Sequence, residues 1–350
     1  MEKAKIIKIL TAIGKVAQKG AKEKLDHPDG KSLLNYGYVY LDGQIIRAHN
    51  GFNQWLTAEL TCDISTPVVV EYASLRQACQ TMVGNIELSY DELTENVMVN
   101  DILRVKAIEI GDCFKHPAGF TDDVRQLPDN FYSLYKEVQK HTSKDPLRPA
   151  MTGVYLNGER NELAAVDGFT PCLHPIDYEG ANIIIPTIPT ELGKNLQLVK
   201  LDEVNQYQIE GEDFTFSFKQ TDNRFPLYPA VMPQDENPTE IATVNADELI
   251  AICEQAKIVN WFGAFTFDDT TLNVRAENID FNTEYTNSIP CELDGFGITI
   301  AYNFHLLIKI LKQCKGDDVR ICMSDPKRPV VIKSNKHNFY LLIMPVMLNV

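Results

Sequence analysis

Gly37-Tyr38-Val39-Tyr40-Leu41-Asp42-Gly43-Gln44-Ile45-Ile46-Arg47-Ala48 reads as two runs of β-branched and aromatic residues around an Asp-Gly pair. The pattern predicts two strands joined by a two-residue turn. It returns twice. Gly153-Val154-Tyr155-Leu156-Asn157-Gly158 leads into Leu163-Ala164-Ala165-Val166-Asp167-Gly168, and Gly263-Ala264-Phe265-Thr266-Phe267-Asp268-Asp269 leads into Leu272-Asn273-Val274-Arg275-Ala276. The opening glycines stand about 110 to 116 residues apart, one domain length each time.

Apolar residues at helical spacing precede each hairpin. They are Ile6, Ile9, Leu10, Ile13 and Val16 before the first, and Phe131, Leu134, Tyr135 and Val138 before the second. Leu249, Ile252, Cys253 and Ala256 precede the third, with Asn245 and Glu248 placed as a capping box. A second helix is expected later in each copy, over 72–82, 189–198 and 303–315, followed in the last copy by strands over 319–323 and 330–333. Prolines and polar residues mark joints at 125–129 and 235–239. The expected fold is therefore α+β, in three tandem and topologically similar domains at 1–126, 127–240 and 241–350. Repeats this long and this few exclude a solenoid.

The 350 residues carry 48 Asp and Glu against 33 Lys and Arg, a net charge of -15, with 44% hydrophobic residues. That composition excludes a disordered chain, and the charge excludes a nonspecific nucleic-acid coat or a membrane-surface protein, since phosphate would be repelled. Apolar runs such as 340–346 fall far short of the roughly 20 residues a membrane span needs. The first residues lead into no signal core, and the eight cysteines form no C-x-x-C pair, so reduced thiols in the cytoplasm are expected.

Positive charge is concentrated locally. Residues 1–24 hold Lys3, Lys5, Lys8, Lys15, Lys19, Lys22 and Lys24 against Glu2 and Glu23, a local balance of +5, leaving -20 for the rest. At 100° per residue Lys8, Lys15, Lys19 and Lys22 form a stripe opposite the apolar one. Gly14 and Gly20 weaken this helix and would leave Lys19 and Lys22 on a loop. A solvated helix face accounts for one such stripe, but the pattern recurs, with Lys136 and Lys140, followed by Lys144 and Arg148, in the second copy, and Lys309 and Lys312 in the third. A lysine row along a rigid helix neutralises successive phosphates without reading bases, which permits sliding on duplex DNA.

Three segments resemble one known family. Arg224-Phe225-Pro226-Leu227-Tyr228-Pro229-Ala230-Val231-Met232-Pro233, the turn Ala165-Val166-Asp167-Gly168 and the tail Leu342-Ile343-Met344-Pro345-Val346-Met347-Leu348 are similar, in that order, to signatures of the bacterial DNA polymerase III β subunit, the sliding clamp. The resemblance is strongest from about residue 127 onward. It implies three domains with paired helices inside and sheets outside, closed as a head-to-tail homodimer whose six domains encircle double-stranded DNA. It further implies a pocket for peptides of the replicative DNA polymerase and the clamp loader, comprising Arg148, Met151, Val166, Gly168, Phe169, Pro171, Pro226, Val231, Met344, Pro345, Val346, Met347 and Leu348. Methionine and proline make adaptable apolar walls for Leu or Phe anchors. Dimer contacts are expected at Ile258 and Val259, and at a first-domain strand over 103–110 that pairs edge to edge with a third-domain strand of the other chain. Localisation would be cytoplasmic, on the nucleoid, with no cofactor. Ala230 and Met347 stand where the family commonly has arginine, and Phe169-Thr170 replaces its His-Arg pair. These departures point to a less basic pocket and a divergent member, of the kind a phage or mobile element carries.

An enzyme is the first rival reading. The seven histidines are isolated, no H-E-x-x-H, phosphate-loop or G-x-S-x-G motif occurs, and Asp42-Gly43 and Asp167-Gly168 are explained by turn chemistry. The second rival is a multidomain protein-interaction module that does not encircle DNA. The two non-enzymatic readings differ on whether basic helices from different copies converge on one concave surface.

Overall fold

Strands with one buried face and helices with one apolar stripe alternate along the chain in a repeated order. The computed structural model describes residues 1–21, 37–50, 54–108, 120–203, 205–232 and 238–347. The first run of elements is α1 (Lys3–Ala21), β1 (Tyr38–Leu41), β2 (Ile45–His49), β3 (Gln54–Glu59), β4 (Val68–Glu71), α2 (Tyr72–Thr81), β5 (Leu88–Asp91), β6 (Asn96–Val99) and β7 (Leu103–Ile108). The second is β8 (Phe120–Gln126), α3 (Phe131–Gln139), β9 (Val154–Asn157), β10 (Glu162–Ala165), β11 (Cys172–Pro175), β12 (Ile183–Ile185), β13 (Gln197–Leu201), β14 (Gln206–Glu210) and β15 (Thr215–Lys219). The third is β16 (Glu240–Asn245), α4 (Ala246–Ala256), β17 (Phe262–Phe267), β18 (Thr271–Asn278), β19 (Thr283–Pro290), β20 (Glu292–Asp294), β21 (Ile298–Asn303), α5 (Phe304–Leu311), β22 (Asp318–Met323), β23 (Val330–Ser334) and β24 (Tyr340–Ile343).

Among the described residues these strands form three sheets. One has eleven strands in the order β5-β6-β7-β4-β1-β2-β3-β15-β14-β13-β8, one has nine in the order β12-β9-β10-β11-β24-β23-β22-β16-β20, and one has four in the order β19-β18-β17-β21. Two compact units result, Met1–Tyr132 with Ile185–Asp222, and Ser133–Ile184 with Asn223–Val350. The second run is divided between them because its strands finish two different sheets. In the first unit Phe216 of β15 pairs with Leu56 of β3, and in the second Cys172 of β11 pairs with Leu341 of β24.

The expected helices form where the apolar period and caps agree. In α1, Ile6, Ile9, Leu10, Ile13 and Val16 are all buried. Asn245 caps α4 by accepting from the amides of Asp247 and Glu248, and Asn303 caps α5 in the same way through His305 and Leu306.

Four expectations are corrected. Helix α1 continues through Gly14 and Gly20 to Ala21, so Lys19 is helical rather than on a loop. Gly14 serves close packing instead: a Cβ there would lie 2.0 Å from the Tyr72 hydroxyl of α2. The Asp-Gly turn is longer than two residues, since Leu41 pairs with Ile46, and the Asp42 carboxylate accepts the amides of Gln44 and Ile45 across it. No helix forms over 189–198. Pro186 and Pro189 remove amide donors and Gly193 sits at φ +101°, so the stretch runs irregularly with Leu192 and Leu196 buried. Strand β7 is not a free edge along its length, because Ala107 and Ile108 pair with Val70 and Val69 while residues 103–106 pair with β6. Residues 109 and 110 of that expected strand lie outside the described residues.

Candidate functional site

Three separated segments meet in the second unit. The stretch from Arg224 to Met232 includes a short 3-10 turn over Tyr228–Val231. Phe225 stacks on Tyr155 of β9 with ring centroids 4.5 Å apart and planes 7° apart, and Tyr228 meets both rings edge-on. The Tyr228 hydroxyl accepts from Asn157 Nδ2 at 2.7 Å and donates to Glu162, which in turn pairs with Arg160. Burial and the Glu162 carboxylate both push the Tyr228 hydroxyl pKa up. Fixed in this way, Tyr228 packs with Ala164, Val166 and Leu173, and Met151, Tyr155, Phe225, Met232 and Tyr340 cover that cluster from outside. Met232 and Tyr340 also cover a second cluster, Cys322, Val331 and Leu342. Two half-exposed side chains thus join the two clusters into one apolar floor, the surface type that accepts apolar peptide anchors.

The turn after β10 forms one wall of this floor. Gly168 has φ +97°, and a Cβ there would lie 3.2 Å from Arg148 Nη1 and 3.9 Å from Met151 Cε. These contacts place Arg148, Met151 and Gly168 together. Val166 is buried at the base, Phe169 is 57% exposed, and Pro171 accepts the Leu342 amide through its carbonyl at 2.9 Å. Pro226 is half-buried, and Val231 lies on the 3-10 turn, its side chain outside the described residues. The tail leaves β24 at Ile343, before Pro345 would have to donate to a ladder, and the Val346 amide donates to Ala301 O at 2.9 Å. Met344 and Met347 are exposed and Pro345 and Val346 half-buried, while Leu348 lies outside the described residues. Tyr155 and Tyr340 were not expected here. Strand alternation is their only sequence signal, and it does not say which face is covered.

A polar cluster backs the same turn. Asp167 Oδ1 accepts the amides of Phe169 at 2.9 Å and Thr170 at 2.6 Å, and Oδ2 accepts the Thr170 hydroxyl at 2.7 Å. Lys309 of α5 donates to Asp167 Oδ2 at 2.6 Å and to Thr170 Oγ1 at 3.2 Å. His141, fully buried, donates from Nδ1 to Thr170 O at 2.9 Å, and its Nε2 accepts the Gln313 side-chain amide. Burial works to raise the Asp167 carboxyl pKa, but the bonds from Lys309, Thr170 and the two amides outweigh it and hold it below the usual range. Burial, helped by the Lys309 charge, pushes His141 down to about 4.

In the second unit Lys140, Lys309 and Lys312 come together with Lys257, His305 and Gln313 around a cleft of about 460 Å³. Lysines from two runs of the repeat therefore share one concave surface. Lys312 lies 3.4 Å from Glu254, which also pairs with Lys257. Lys136 is exposed and donates to Gln139 at 3.2 Å; Lys144 is exposed, and so is Arg148, 3.5 Å from Asp145. In the first unit Lys15 is exposed on α1, and Lys8 pairs with Asp213 at 3.0 Å, both side chains open to solvent. The Lys19 side chain and all of Lys22 lie outside the described residues.

Ile258 and Val259 follow α4, with Ile258 83% exposed. Trp261, Ile279 and Phe281 are exposed beside them, and the two loops are tied by Asn260 Nδ2 donating to Glu277 O at 2.7 Å and Asn278 Nδ2 donating to Val259 O at 3.3 Å. The three additional residues went unread, although large apolar residues inside an Asn-rich turn are a signal. Beside this patch β19 is the end strand of its sheet, with one side unpaired among the described residues. No group of three His, Cys, Asp or Glu side chains among the described residues is placed to hold a metal ion, and no described helix is long and apolar enough to cross a membrane.

Solved structures share this architecture across its whole length. The DNA polymerase sliding clamp of Pseudomonas aeruginosa superposes with a TM-score of 0.80 at 15% identity, covering 99% of both chains, and pol III beta of Caulobacter crescentus gives 0.80 at 17% over the same shares. No family model matches the sequence. Among curated proteins, the beta sliding clamp of Bacillus subtilis is 23% identical over 243 residues, 63% of this chain and 64% of that protein. That of Haemophilus influenzae is 24% identical over 246 residues, 64% of this chain and 65% of that protein. The chain thus spans less than two thirds of the length of these relatives in sequence. The fold is that of a DNA sliding clamp, a class of non-enzymatic protein. Within it, the chain is a divergent homologue of the bacterial β sliding clamp, the DNA polymerase III β subunit.

Proposed function

We propose that this chain works as a DNA sliding clamp, two copies closing head to tail around duplex DNA and tethering the replicative polymerase and the clamp loader through the apolar floor. Its three domains would divide near 126 and 240, so that two chains supply the six domains a ring needs. Enclosure rather than affinity holds such a ring on DNA, so an acidic chain with a few basic helices suffices. The observation that carries the reading is the convergence of the Arg224–Met232 stretch, Val166 at the head of the Asp167–Thr170 turn, and Tyr340 and Leu342 of β24 on one apolar surface, with Met232 and Tyr340 spanning both clusters. For the dimer, the side of β19 left unpaired among the described residues and the patch of Ile258, Trp261, Ile279 and Phe281 would give a second chain both a ladder and an apolar face to cover. The working site would be the nucleoid, in the cytoplasm.

Loading onto nicked circular DNA tests the topology. Retention should vanish when the circle is linearised, whereas equal retention on both forms would favour the non-encircling interaction module. A fluorescent peptide carrying Gln and a Leu-Phe pair tests the pocket. Binding should weaken on Met344→Ala and on Pro226→Ala, and unchanged affinity in both variants would remove the pocket from this surface.

A further inference from the structure

We propose that Lys309, although it lies on a lysine-bearing helix, is a positioning residue of the peptide pocket and not a phosphate contact; the proposal rests on the pocket reading above. Its ammonium group is committed elsewhere. Of its three donors, two go to Asp167 Oδ2 at 2.6 Å and Thr170 Oγ1 at 3.2 Å, the geometry of a short charge-assisted bond. The Asp167 side chain is 14% exposed, that of Lys309 36%. To turn to a phosphate, Lys309 would have to give up a largely buried carboxylate, which would keep its hydrogen bonds from the turn but lose its counter-charge, a larger loss than an exposed phosphate contact returns. The other lysines of the set differ. Lys140 lines the same cleft but is exposed and has no carboxylate in ion-pair range among the described residues.

Through Lys309 the shape of the turn is fixed. Asp167 already gathers the amides of Phe169 and Thr170 on Oδ1, so anchoring Oδ2 anchors the whole turn. Four positions on in the chain, Gln313 acts on the other side of that turn, donating to His141, which holds Thr170 O. Lys309 and Gln313 thus grip Thr170 at its hydroxyl and, through His141, at its carbonyl. Gly168 lies in this turn beside Arg148 and Met151, Phe169 follows it exposed, and Pro171 carries the hydrogen bond to Leu342. A turn held in one conformation binds a peptide without first having to be ordered, and that saving appears as affinity. The sequence departure fits the same account: Thr170 supplies the hydroxyl the lock uses.

Two measurements on the full chain separate the readings, the dissociation constant of the fluorescent peptide and the salt dependence of retention on nicked circular DNA. Lys309→Met keeps the aliphatic stem and loses the charge; it should weaken the peptide by about tenfold, as expected for loss of a charge-assisted anchor, and leave the salt slope unchanged. Lys140→Met should do the reverse. Lys309→Arg restores a cation and should recover peptide binding, which a general packing defect would not allow. Should the methionine variant fold poorly, Asp167→Asn removes the same ion pair at constant size and should weaken the peptide likewise. Wild-type peptide affinity in Lys309→Met with a reduced salt slope would overturn the proposal alone. Absence of peptide binding by the wild-type chain would instead overturn the pocket reading, and this proposal with it.

Discussion

The hydroxyl of Tyr72 occupies the space that a Cβ on Gly14 would need, 2.0 Å away, so α1 reaches α2 only because residue 14 has no side chain. A helical glycine costs about 1 kcal/mol against alanine, which makes Gly14→Ala a favourable change on propensity alone. Contact outweighs it here. Tyr72 is 3% exposed and its ring lies within 2.7 Å of the new methyl, so the ring must move through packed neighbours. Overpacking of this kind costs about 1–3 kcal/mol. Gly14→Ala is expected to lose about 1 kcal/mol net, seen as a lower urea midpoint at unchanged slope. A more stable variant would mean that Tyr72 swings aside freely.

That glycine also marks the limit of what the sequence discloses. The apolar period of α1 was legible in Ile6, Ile9, Leu10, Ile13 and Val16, but the reason for Gly14 lies in another helix, so local propensity read it as a weakness. Over 189–198 the error ran the other way: Leu192 and Leu196 keep a helical spacing and are buried, yet Pro189 and Gly193 decide the backbone. The apolar floor was legible as three motifs because its walls are contiguous segments. Its backing was not, since Lys309 and Asp167 are 142 residues apart and a lysine among lysines looks like part of a basic face.

Acid should weaken the second unit through His141. Its pKa is pushed down from the ordinary 6.5 to about 4, chiefly by burial. As pH falls below 6.5 the unfolded chain takes up a proton that the folded one refuses until about 4, so stability present above 6.5 is lost across that window. The full effect is about 3 kcal/mol, to order of magnitude. His49, also pushed to about 4 by burial, adds a contribution of the same sign in the first unit. Melting temperature against pH from 7 down to 4 should therefore fall less steeply in His141→Gln than in the wild type, the His49 share remaining. Identical slopes would mean that His141 titrates normally in the folded chain. Below this window the Asp167 carboxyl, held low in the folded state, begins to take up its proton and the ion pair to Lys309 fails.

The exposed patch after α4 gives a separate expectation for self-association. Burying a side chain the size of isoleucine or phenylalanine is worth about 1.5–3 kcal/mol, so a patch of Ile258, Trp261, Ile279 and Phe281 left in water carries enough to hold two chains once covered. Replacing Ile258 or Ile279 by Asp removes that gain and leaves a charge to be desolvated. Either variant should shift sedimentation from dimer toward monomer while its melting temperature, measured on the monomer, stays within a few degrees of the wild type's. Ile279→Asp that remains fully dimeric would confine the interface to Ile258 and Val259.

Lysines on α1 should differ in their effect on DNA according to what already holds them. Lys15 is exposed and has no carboxylate in ion-pair range among the described residues, whereas Lys8 lies 3.0 Å from Asp213. Each lysine that neutralises a phosphate contributes about 0.9 to the slope of log affinity against log salt on duplex DNA. Lys15→Gln should therefore lower the slope of retention on nicked circles by about that amount. For Lys8 the pair to Asp213 must first be broken, but with side chains 64% and 49% exposed such a pair is worth no more than about 1 kcal/mol. Lys8→Gln should consequently cost less slope than Lys15→Gln, and Asp213→Asn, by freeing Lys8, should raise retention. Equal slopes in all three variants would take α1 off the path of the DNA and leave its lysines as a solvated face.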